Sequence, residues 1–441
     1  DLRAGSCTVK PGVETREQIN LPRDWKAGGR NRENAHLISR DENNRPFYGG
    51  TPDDKSVLAL FDEMATRGLS ITVSPFLLMD VPAGNDLPDP YGATEQAAFP
   101  WRGRVTAMVD KTAQTRMDVD HFFGAATASD FALNGQTISY SGPSEWSYRR
   151  FVLHLAMLAK VSGQVSRFLL GSELRGLTRL RDQNGDFPAV EQLISLAGEV
   201  RSILGAGVEI SYAADWTEYG AYHPADSNGD VLFPLDTLWA DSNIDFIGLD
   251  WYAPLSDWRD GDHLDGEIYE TITDPAYLAA NIQGGEGYDW YYASEADRHS
   301  QTRTPIHDTA YGEDWVFRVK DLTNWWSSAH HARPGGVRAT GATPWVPESK
   351  PIHLIEIGCG AVDKGTNAPN VFVDPKSDES GLPPYSNGRR DDELQAAAIL
   401  ALADYWAVSA GNNPISSVYA APMIPADGLS VWCFDGRPYP A

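Results

Sequence analysis

Short apolar runs alternate with amphipathic stretches along this chain, and this alternation is the feature that most constrains its fold. Turn-forming residues bound the apolar runs, and several of the runs are followed by stretches in which apolar residues recur every three or four positions. A strand–helix–strand order predicts parallel strands, because the helix returns the chain across the sheet. The eight candidate strands are residues 6–13, 35–39, 70–79, 167–172, 209–214, 246–252, 352–357 and 429–434.

Helical periodicity is visible between several of these strands. In residues 190–204, Leu193, Ala197 and Val200 recur on one face, which is typical of a helix that covers a sheet. Eight strands in such an order predict an α/β fold, a (β/α)8 TIM barrel. The candidate helices are residues 55–66, 148–160, 190–204, 315–326 and 391–406.

Three longer segments interrupt the repeat, and each follows a candidate strand. Residues 82–143, 253–350 and 358–390 contain clusters of turn-forming residues, so we expect insertions in the loops after strands 3, 6 and 7 of a single domain spanning 1–441. Loops after the strands build the substrate-binding face of a barrel. The chain begins at Asp1 without Met or a signal-like segment, and we expect it to be excised from a larger multidomain protein.

Composition excludes several classes of function. The formal net charge is −25, which repels nucleic acid and anionic membrane surfaces, so we expect no nucleic-acid partner. No apolar run approaches about 18 residues, so no membrane span is expected. Cys7, Cys359 and Cys433 are too few for a disulfide framework. They are interpreted as buried small side chains, with a single bridge or a reactive thiol as the alternatives.

Two glutamates stand at the ends of candidate buried strands. Glu173 directly follows residues 167–172, and Glu356 lies within residues 352–357. Ionised side chains are rarely buried without a partner or a function. Two carboxyl groups about 5 Å apart at one rim of a barrel suit retaining glycoside hydrolysis. We assign Glu173 as acid/base and Glu356 as nucleophile; the alternative is that each pairs with a strand-end arginine such as Arg175.

Strand parity adds further candidates beside the two glutamates. Asp250 and Tyr252 alternate with Leu249 and Trp251, so both are expected to face inward. Asp250 is then either a third carboxylate that orients Tyr252 or a nearby arginine, or a structural ion pair in the barrel.

Aromatic residues are abundant enough to suggest sugar binding. The chain has 14 Trp and 18 Tyr, and aromatic rings stack on the apolar faces of pyranoses. Trp216, Trp251 and Trp432 lie at or after strand ends, and Asp215 and Asp80 are candidate hydroxyl partners. Core packing is the alternative for each tryptophan, although for Trp432 the sugar subsite is favoured.

Metal-binding patterns are weak. Neither C-x-x-C nor H-E-x-x-H spacing is present, and residues 182–186 and 226–230 lack the Gly and Glu positions of calcium loops. Both acidic stretches are interpreted as turns. We therefore expect no catalytic metal and no cofactor.

The candidate residues resemble those of a known group. Glu173 and Glu356, with Tyr252 on strand six and Trp432 on strand eight, resemble the clan A glycoside hydrolases, which are retaining (β/α)8 barrels. Nearly the whole chain resembles the TIM-barrel domain of the baseplate hub protein of gene transfer agents, which are phage-tail-like particles. The segments that carry this second resemblance are residues 76–80, 168–177, 246–252, 355–370 and 432–435.

The clan resemblance implies a role for each matched residue. It makes Glu173 the acid/base, Glu356 the nucleophile and Tyr252 a hydroxyl that supports the nucleophile. Trp432 corresponds to the aromatic floor of the sugar subsite, and Asp435 is a substrate-binding candidate beside it. Ser172 stands where the clan usually has an Asn that bonds the sugar 2-position.

The resemblances together imply a retaining glycoside hydrolase that acts on a bacterial cell-envelope glycan. They imply a component of an extracellular phage-like particle that is assembled in the bacterial cytoplasm, with other baseplate subunits as partners. The alternative is a non-catalytic module of the baseplate that binds a glycan or a neighbouring subunit, because a barrel fold alone does not determine activity.

Overall fold

The computed structural model describes Leu2 and residues 7–17, 24–107 and 109–433. Its strands are β1 Gly12–Val13, β2 Lys26–Ala27, β3 Arg30–Asn31, β4 His36–Leu37, β5 Thr72–Val73, β6 Phe131–Asn134, β7 Thr137–Tyr140, β8 Arg167–Ser172, β9 Glu209–Asp215, β10 Ile247–Trp251, β11 Trp290–Tyr291, β12 Thr304–Pro305, β13 Ile352–Ile357 and β14 Leu429–Val431. Its α-helices are α1 Asp54–Thr66, α2 Ala113–Phe123, α3 Tyr148–Ser162, α4 Arg175–Thr178, α5 Pro188–Leu204, α6 Asp236–Trp239, α7 Pro275–Ala280, α8 Glu295–Ser300, α9 Leu322–Ser327 and α10 Asp392–Trp406.

One sheet carries six of the eight predicted strands. Its hydrogen-bonded order is β14-β13-β10-β9-β8-β5. The ladders of β5 with β8, β9 with β10, β10 with β13 and β13 with β14 are parallel. The two remaining predicted strands, β1 and β4, form a separate parallel pair. The α/β class and the parallel strands separated by helices are thus confirmed.

One predicted strand is cut short beside a proline. The prediction for residues 70–79 reduces to Thr72–Val73. Pro75 follows two positions later, and a proline cannot donate a backbone hydrogen bond to a ladder. The chain beyond Val73 therefore leaves the sheet early.

The predicted helix over residues 315–326 is wrong in one respect, because it is interrupted. A 3-10 helix spans Asp314–Phe317, and α9 begins afresh at Leu322. The side chain of Asp321 accepts a hydrogen bond from the backbone N of Asn324 at 3.2 Å, which caps the new helix and separates it from the first turn.

Residues 82–143 contain regular structure that the sequence analysis missed. Helix α2 lies there, and β6 and β7 form an antiparallel hairpin. The hairpin turns at Gly135, whose φ is 59°. An Asn-Gly pair at positions 134 and 135 is a common hairpin signal, so this element was readable from the sequence.

The described chain divides into two compact units. Unit 1 consists of the described residues up to Tyr212 with Asp241–Asp245 and Lys376–Glu379. Unit 2 consists of Ala213–Ala240, Phe246–Pro375 and the described residues from Ser380 onward.

Helices α3 and α5 pack beside β8 in unit 1. Helix α3 is capped by Ser147, whose side chain accepts from the backbone N of Arg150 at 3.3 Å, and it ends at Gly163 with φ 65°. Helix α5 buries Leu193, Ala197 and Val200, as its periodicity predicts. These helices build the apolar core against which the end of β8 is fixed.

Strand β10 lies at the centre of unit 2, and all of its residues are buried. It pairs with β9 on one side and with β13 on the other. Helix α10 begins after Asp391, whose side chain accepts from the backbone N of Leu394 at 2.9 Å, and it packs against α7.

Gly171 lies in β8 at a place where no side chain fits. Its φ is 152°, and a Cβ there would lie 1.8 Å from the hydroxyl oxygen of Tyr148. That hydroxyl donates to the Leu170 carbonyl at 2.9 Å. The Tyr148 ring packs against Phe122 and Phe123, with ring centroids 5.4 and 5.3 Å away, so it has little room to move.

We therefore expect Gly171→Ala to lower the free energy of unfolding by about 2 kcal/mol or more, measured by urea denaturation.

Gly207→Ala is the matched control for this substitution. A Cβ at Gly207 would meet no atom within 4 Å, so its free energy of unfolding should stay within about 1 kcal/mol of the parent value. Equal stability of the two variants would contradict the steric argument for Gly171.

Candidate functional site

Glu173 follows the last residue of β8 in a left-handed backbone conformation, with φ 52°. The residue is only 7% exposed. The next backbone N, of Leu174, donates to the hydroxyl of Tyr212 at 2.5 Å. A non-glycine residue with positive φ costs free energy and is over-represented at functional sites, so this conformation supports a special role for the turn.

The carboxylate of Glu173 is held by two residues of the segment 82–143. The indole N–H of Trp101 donates to Oε2 at 2.6 Å, and Nη2 of Arg102 lies 2.8 Å from the same oxygen. Arg102 also donates through Nε to the carbonyl of Ser172 at 3.1 Å and through Nη2 to the Ser172 hydroxyl. Its guanidinium stacks over the ring of Phe76 at 3.9 Å.

The structure pairs Glu173 with Arg102, an arginine that the sequence analysis did not name. Both members of this ion pair are buried, with side chains 6% and 9% exposed. A guanidinium at this distance favours the charged form of a carboxyl group. Arg102 therefore supplies the counter-charge that a buried carboxylate at Glu173 requires.

Glu356 lies in β13 and is also 7% exposed. The hydroxyl of Tyr252, directly after β10, donates to its Oε2 at 2.8 Å. The structure thus brings together the predicted nucleophile and its predicted supporting hydroxyl within unit 2. A donor at this position stabilises negative charge on the carboxylate and fixes its orientation.

Asp215, Asp250 and Glu356 form one rung of acidic residues across three neighbouring strands. Asp250 is the register partner of Asp215 on β9 and of Glu356 on β13. Asp250 is fully buried. The backbone N of Thr217 donates to Asp215 at 3.0 Å, and so does the Thr217 hydroxyl. Buried acidic groups so close in register require hydrogen-bond donors or shared protons, which is a common property of catalytic sites.

Trp432 follows β14 and is 48% exposed. Its backbone N donates to the Ile357 carbonyl at 2.9 Å, which attaches it to the strand of Glu356. A Cβ on Gly358 would lie 2.9 Å from the Trp432 carbonyl oxygen, so glycine permits this approach. Asp435, the neighbouring candidate, lies outside the described residues.

The remaining predicted tryptophans differ in their surroundings. Trp251 is buried, and its ring lies 6.2 Å from that of Tyr219. These contacts agree with the core-packing alternative for Trp251. Trp216 is partly exposed and lines a cavity of unit 2 of about 900 Å³.

Asp80, a predicted hydroxyl partner, is engaged within unit 1. Nε2 of His36 lies 2.5 Å from its carboxylate, and the backbone N of Ser39 donates to it at 3.1 Å. Burial raises the pKa of Asp80, but the hydrogen bonds from His36 and Ser39 together lower it below its ordinary value. Asp80 thus connects the segment after β5 to residues at and after β4.

Sequence reasoning missed a buried lysine in unit 2. Lys320 is fully buried, and its Nζ donates to the carbonyls of Pro254 and Asn281, both at 2.7 Å. Burial lowers the pKa of Lys320 to about 7. Pro254 lines the cavity that also contains Trp216, so Lys320 fixes part of its wall.

The cysteines follow the sequence interpretation only in part. Cys359 is buried, and burial raises its pKa to about 12. Burial also raises the pKa of Cys7. Cys433 is exposed, which differs from the predicted buried position. Its strand ends two residues earlier, at Val431, so its side chain lies beyond the sheet.

Two kinds of feature are absent from the described residues. None of the described helices has the length and apolarity needed to cross a membrane. Within the same residues, no three His, Cys, Asp or Glu side chains are grouped so that they could hold a metal ion.

The fold and these residues define an α/β protein that carries buried carboxylates at the ends of parallel strands. The chain belongs to the GTA TIM-barrel-like domain family, whose sequence model matches residues 146–441. The predicted resemblance to the gene transfer agent TIM-barrel domain is thereby confirmed for residues 146–441, whereas the segment 76–80 lies outside the match. A comparison with curated proteins gives no significant match.

The Arg102–Glu173 ion pair yields a stability prediction. Arg102→Met leaves a buried carboxylate without its guanidinium, so the free energy of unfolding should fall by about 3 kcal/mol or more in urea denaturation. Adding Glu173→Gln to this variant should restore much of the loss, because the uncompensated charge is then removed.

Arg104→Met is the matched control. Arg104 is about one-third exposed, and its ion pairs with Asp89 and Glu379 are longer, at 3.8 and 3.6 Å. Its replacement should change stability by less than about 1 kcal/mol. Similar losses of unfolding free energy for Arg102→Met and Arg104→Met would show that the buried ion pair stabilises the protein no more than the exposed ones.

Lys320 yields a prediction about pH. An unfolded lysine has a pKa of about 10.4, so between pH 7 and that value the unfolded chain binds more protons at this position than the folded chain. The free energy of unfolding should therefore rise with pH across this window, relative to Lys320→Met. Urea denaturation of both proteins at pH 7 and pH 9 measures the difference.

The exposed Lys55 supplies the control, because Lys55→Met should follow the parent protein at both pH values. A difference between parent and Lys320→Met that does not change with pH would contradict the assignment of a depressed pKa to Lys320.

Proposed function

We propose that the chain is a retaining glycoside hydrolase, with Glu356 as nucleophile and Glu173 as acid/base. The observation that carries the proposal is the 2.8 Å hydrogen bond from Tyr252 to Glu356, within a rung of buried acidic residues. A hydroxyl that orients a buried carboxylate at a strand end is the arrangement that a glycosidase nucleophile needs. The placement in clan A rests on the same residues.

In the proposed reaction, an Oε of Glu356 attacks the anomeric carbon while the glycosidic oxygen leaves with a proton from Glu173. The glycosyl–Glu356 ester is then hydrolysed by water, whose proton returns to Glu173, so both residues end as they began. This route requires the two carboxyl groups to be about 5 to 5.5 Å apart when substrate is bound.

Glu173 needs a proton before it can serve as the acid. Arg102 opposes this, because it stabilises the charged carboxylate at 2.8 Å. The proposal therefore includes a weakening of the ion pair when a sugar reaches Trp101, whose indole N–H shares the same carboxylate oxygen. Desolvation by the sugar would then favour the neutral acid.

The substrate class and the context follow from family membership alone. We propose a bacterial cell-envelope glycan as substrate and other subunits of a phage-tail-like baseplate as partners, because a gene transfer particle must cross an envelope. The (β/α)8 closure, with insertions after strands 3, 6 and 7, is part of the same proposal. It is supported by the parallel pairing of β1 with β4 and by the order of the six-stranded sheet.

A second candidate is a non-catalytic module that binds a glycan or a neighbouring subunit. One observation favours it specifically: the buried Arg102–Glu173 ion pair satisfies Glu173 without any reaction. Ser172 adds to this, since its hydroxyl accepts a hydrogen bond from Arg102. Under this candidate, the rung of acidic residues in unit 2 would bind hydroxyl groups without turnover.

Glu356→Gln should reduce hydrolysis at least about a thousandfold while leaving glycan binding largely intact, because it removes the nucleophile and keeps its shape. Tyr252→Phe should reduce it by about a hundredfold, since one donor to the carboxylate is lost. The purified proteins are incubated with envelope glycans and aryl glycosides, and the products are identified by mass spectrometry.

Glu393→Gln is the control, because Glu393 is exposed in the first turn of α10 and should retain the parent rate. Normal hydrolysis by Glu356→Gln would exclude it as nucleophile. The absence of hydrolysis by the parent protein on all substrates, together with saturable glycan binding, would favour the non-catalytic candidate.

A further inference from the structure

The cavity of about 900 Å³ in unit 2 is a separate feature, whose lining residues have no role in the proposed bond cleavage. Trp216 follows β9, Pro254 follows β10 and Asn367 follows β13. The cavity therefore lies beside the carboxyl ends of three parallel strands, where α/β proteins bind their ligands. Its volume falls within the range of about 300 to 1,000 Å³ that is typical of ligand sites.

Two aromatic residues contribute to the cavity wall. The backbone N of Trp216 donates to the Asp250 carbonyl at 3.0 Å, which fixes its position, and its indole N–H meets no acceptor among the described residues. The ring of Tyr385 is supported by the guanidinium of Arg259 at 4.4 Å. Aromatic faces pack against the C–H faces of pyranoses, and an indole N–H can donate to a sugar hydroxyl.

The charges of the wall largely neutralise one another. Arg298 donates to Glu286 at 2.7 and 3.2 Å, and Glu295 lies 3.8 Å from the same guanidinium. Two acidic groups against one basic group leave a slight excess of negative charge, in a chain whose net charge is −25. Such a wall disfavours an anionic ligand and accepts an uncharged one with hydroxyl groups.

The wall is held in place by hydrogen bonds that leave little freedom. Both ends of the Asn367 amide are used: Oδ1 accepts from the backbone N of Trp258 at 2.9 Å, and Nδ2 donates to the carbonyl of Pro384 at 3.0 Å. Lys320 holds Pro254 from behind. A preformed wall binds a ligand at a low cost in conformational entropy.

We infer that this cavity binds uncharged pyranose units of a glycan chain, with Trp216 and Tyr385 as its stacking residues. The inference rests on the proposed function for the polysaccharide nature of the ligand. Trp216 is attached to the sheet at the level of Glu356. Its backbone N donates to the carbonyl of Asp250, and Asp250 is the register partner of Glu356. The cavity therefore selects for uncharged sugar units near the proposed nucleophile.

Binding is tested on the Glu356→Gln chain, so that turnover does not interfere. The probes are tetramers of β-1,4-linked N-acetylglucosamine, β-1,4-linked glucose and galacturonic acid, titrated by isothermal calorimetry. At least one uncharged tetramer should bind, and the anionic tetramer should bind at least about tenfold more weakly. Trp216→Ala and Tyr385→Ala, each in the same background, should weaken the binding of the uncharged tetramer by about tenfold.

Tyr291→Ala is the matched control, because Tyr291 is an exposed tyrosine of unit 2 outside the cavity wall. In the Glu356→Gln background, Tyr291→Ala should leave the affinity for the uncharged tetramer within about twofold of that of Glu356→Gln alone. The inference is overturned if neither uncharged tetramer binds, if the anionic tetramer binds as tightly, or if Trp216→Ala binds like the Tyr291→Ala control.

Failure of this inference can be separated from failure of the proposed function. If the parent protein hydrolyses a glycan and Trp216→Ala does so with unchanged KM, the hydrolase stands and the cavity inference is wrong. If Trp216→Ala abolishes binding while the parent protein hydrolyses nothing, the cavity inference stands and the hydrolase proposal is wrong.

Discussion

The register of β9, β10 and β13 is the constraint on which the rest of unit 2 depends. Parallel pairing brings Asp215, Asp250 and Glu356 to one level at the carboxyl ends of their strands. The ladder of β10 with β13 contains an irregularity between Leu249 and Asp250, and this irregularity sets Asp250 opposite Glu356. Burial of acidic groups is costly unless donors are present, so the local structure must supply them. Tyr252 and Thr217 do so from the turns directly after β10 and β9.

Unit 1 solves the same problem for Glu173 in a different way. Its carboxylate lies in a strained turn and is neutralised by a buried guanidinium and an indole N–H. One buried acid thus has a formal counter-charge, whereas the other has a neutral hydroxyl donor.

The sequence allowed the strands and the two glutamates to be located, because buried strands and strand-end acids leave local signals. The prediction for Glu356 and Tyr252 came from parity and resemblance, and the structure places these two side chains in contact. Arg102 could not be predicted, because no local pattern connects residue 102 with residue 173. The same holds for Lys320, whose two carbonyl partners come from distant turns. Long-range contacts that satisfy single polar groups have no periodicity.

Trp101 and Arg102 lie outside residues 146–441, the part of the chain that matches the family. The electrostatic setting of Glu173 is therefore governed by a segment that the family description does not include. A chain with the same strands and a different segment here could keep its glutamate and yet hold it in another protonation state. The surroundings of this glutamate would then be set by an accessory segment, independently of the scaffold that displays the acidic residues.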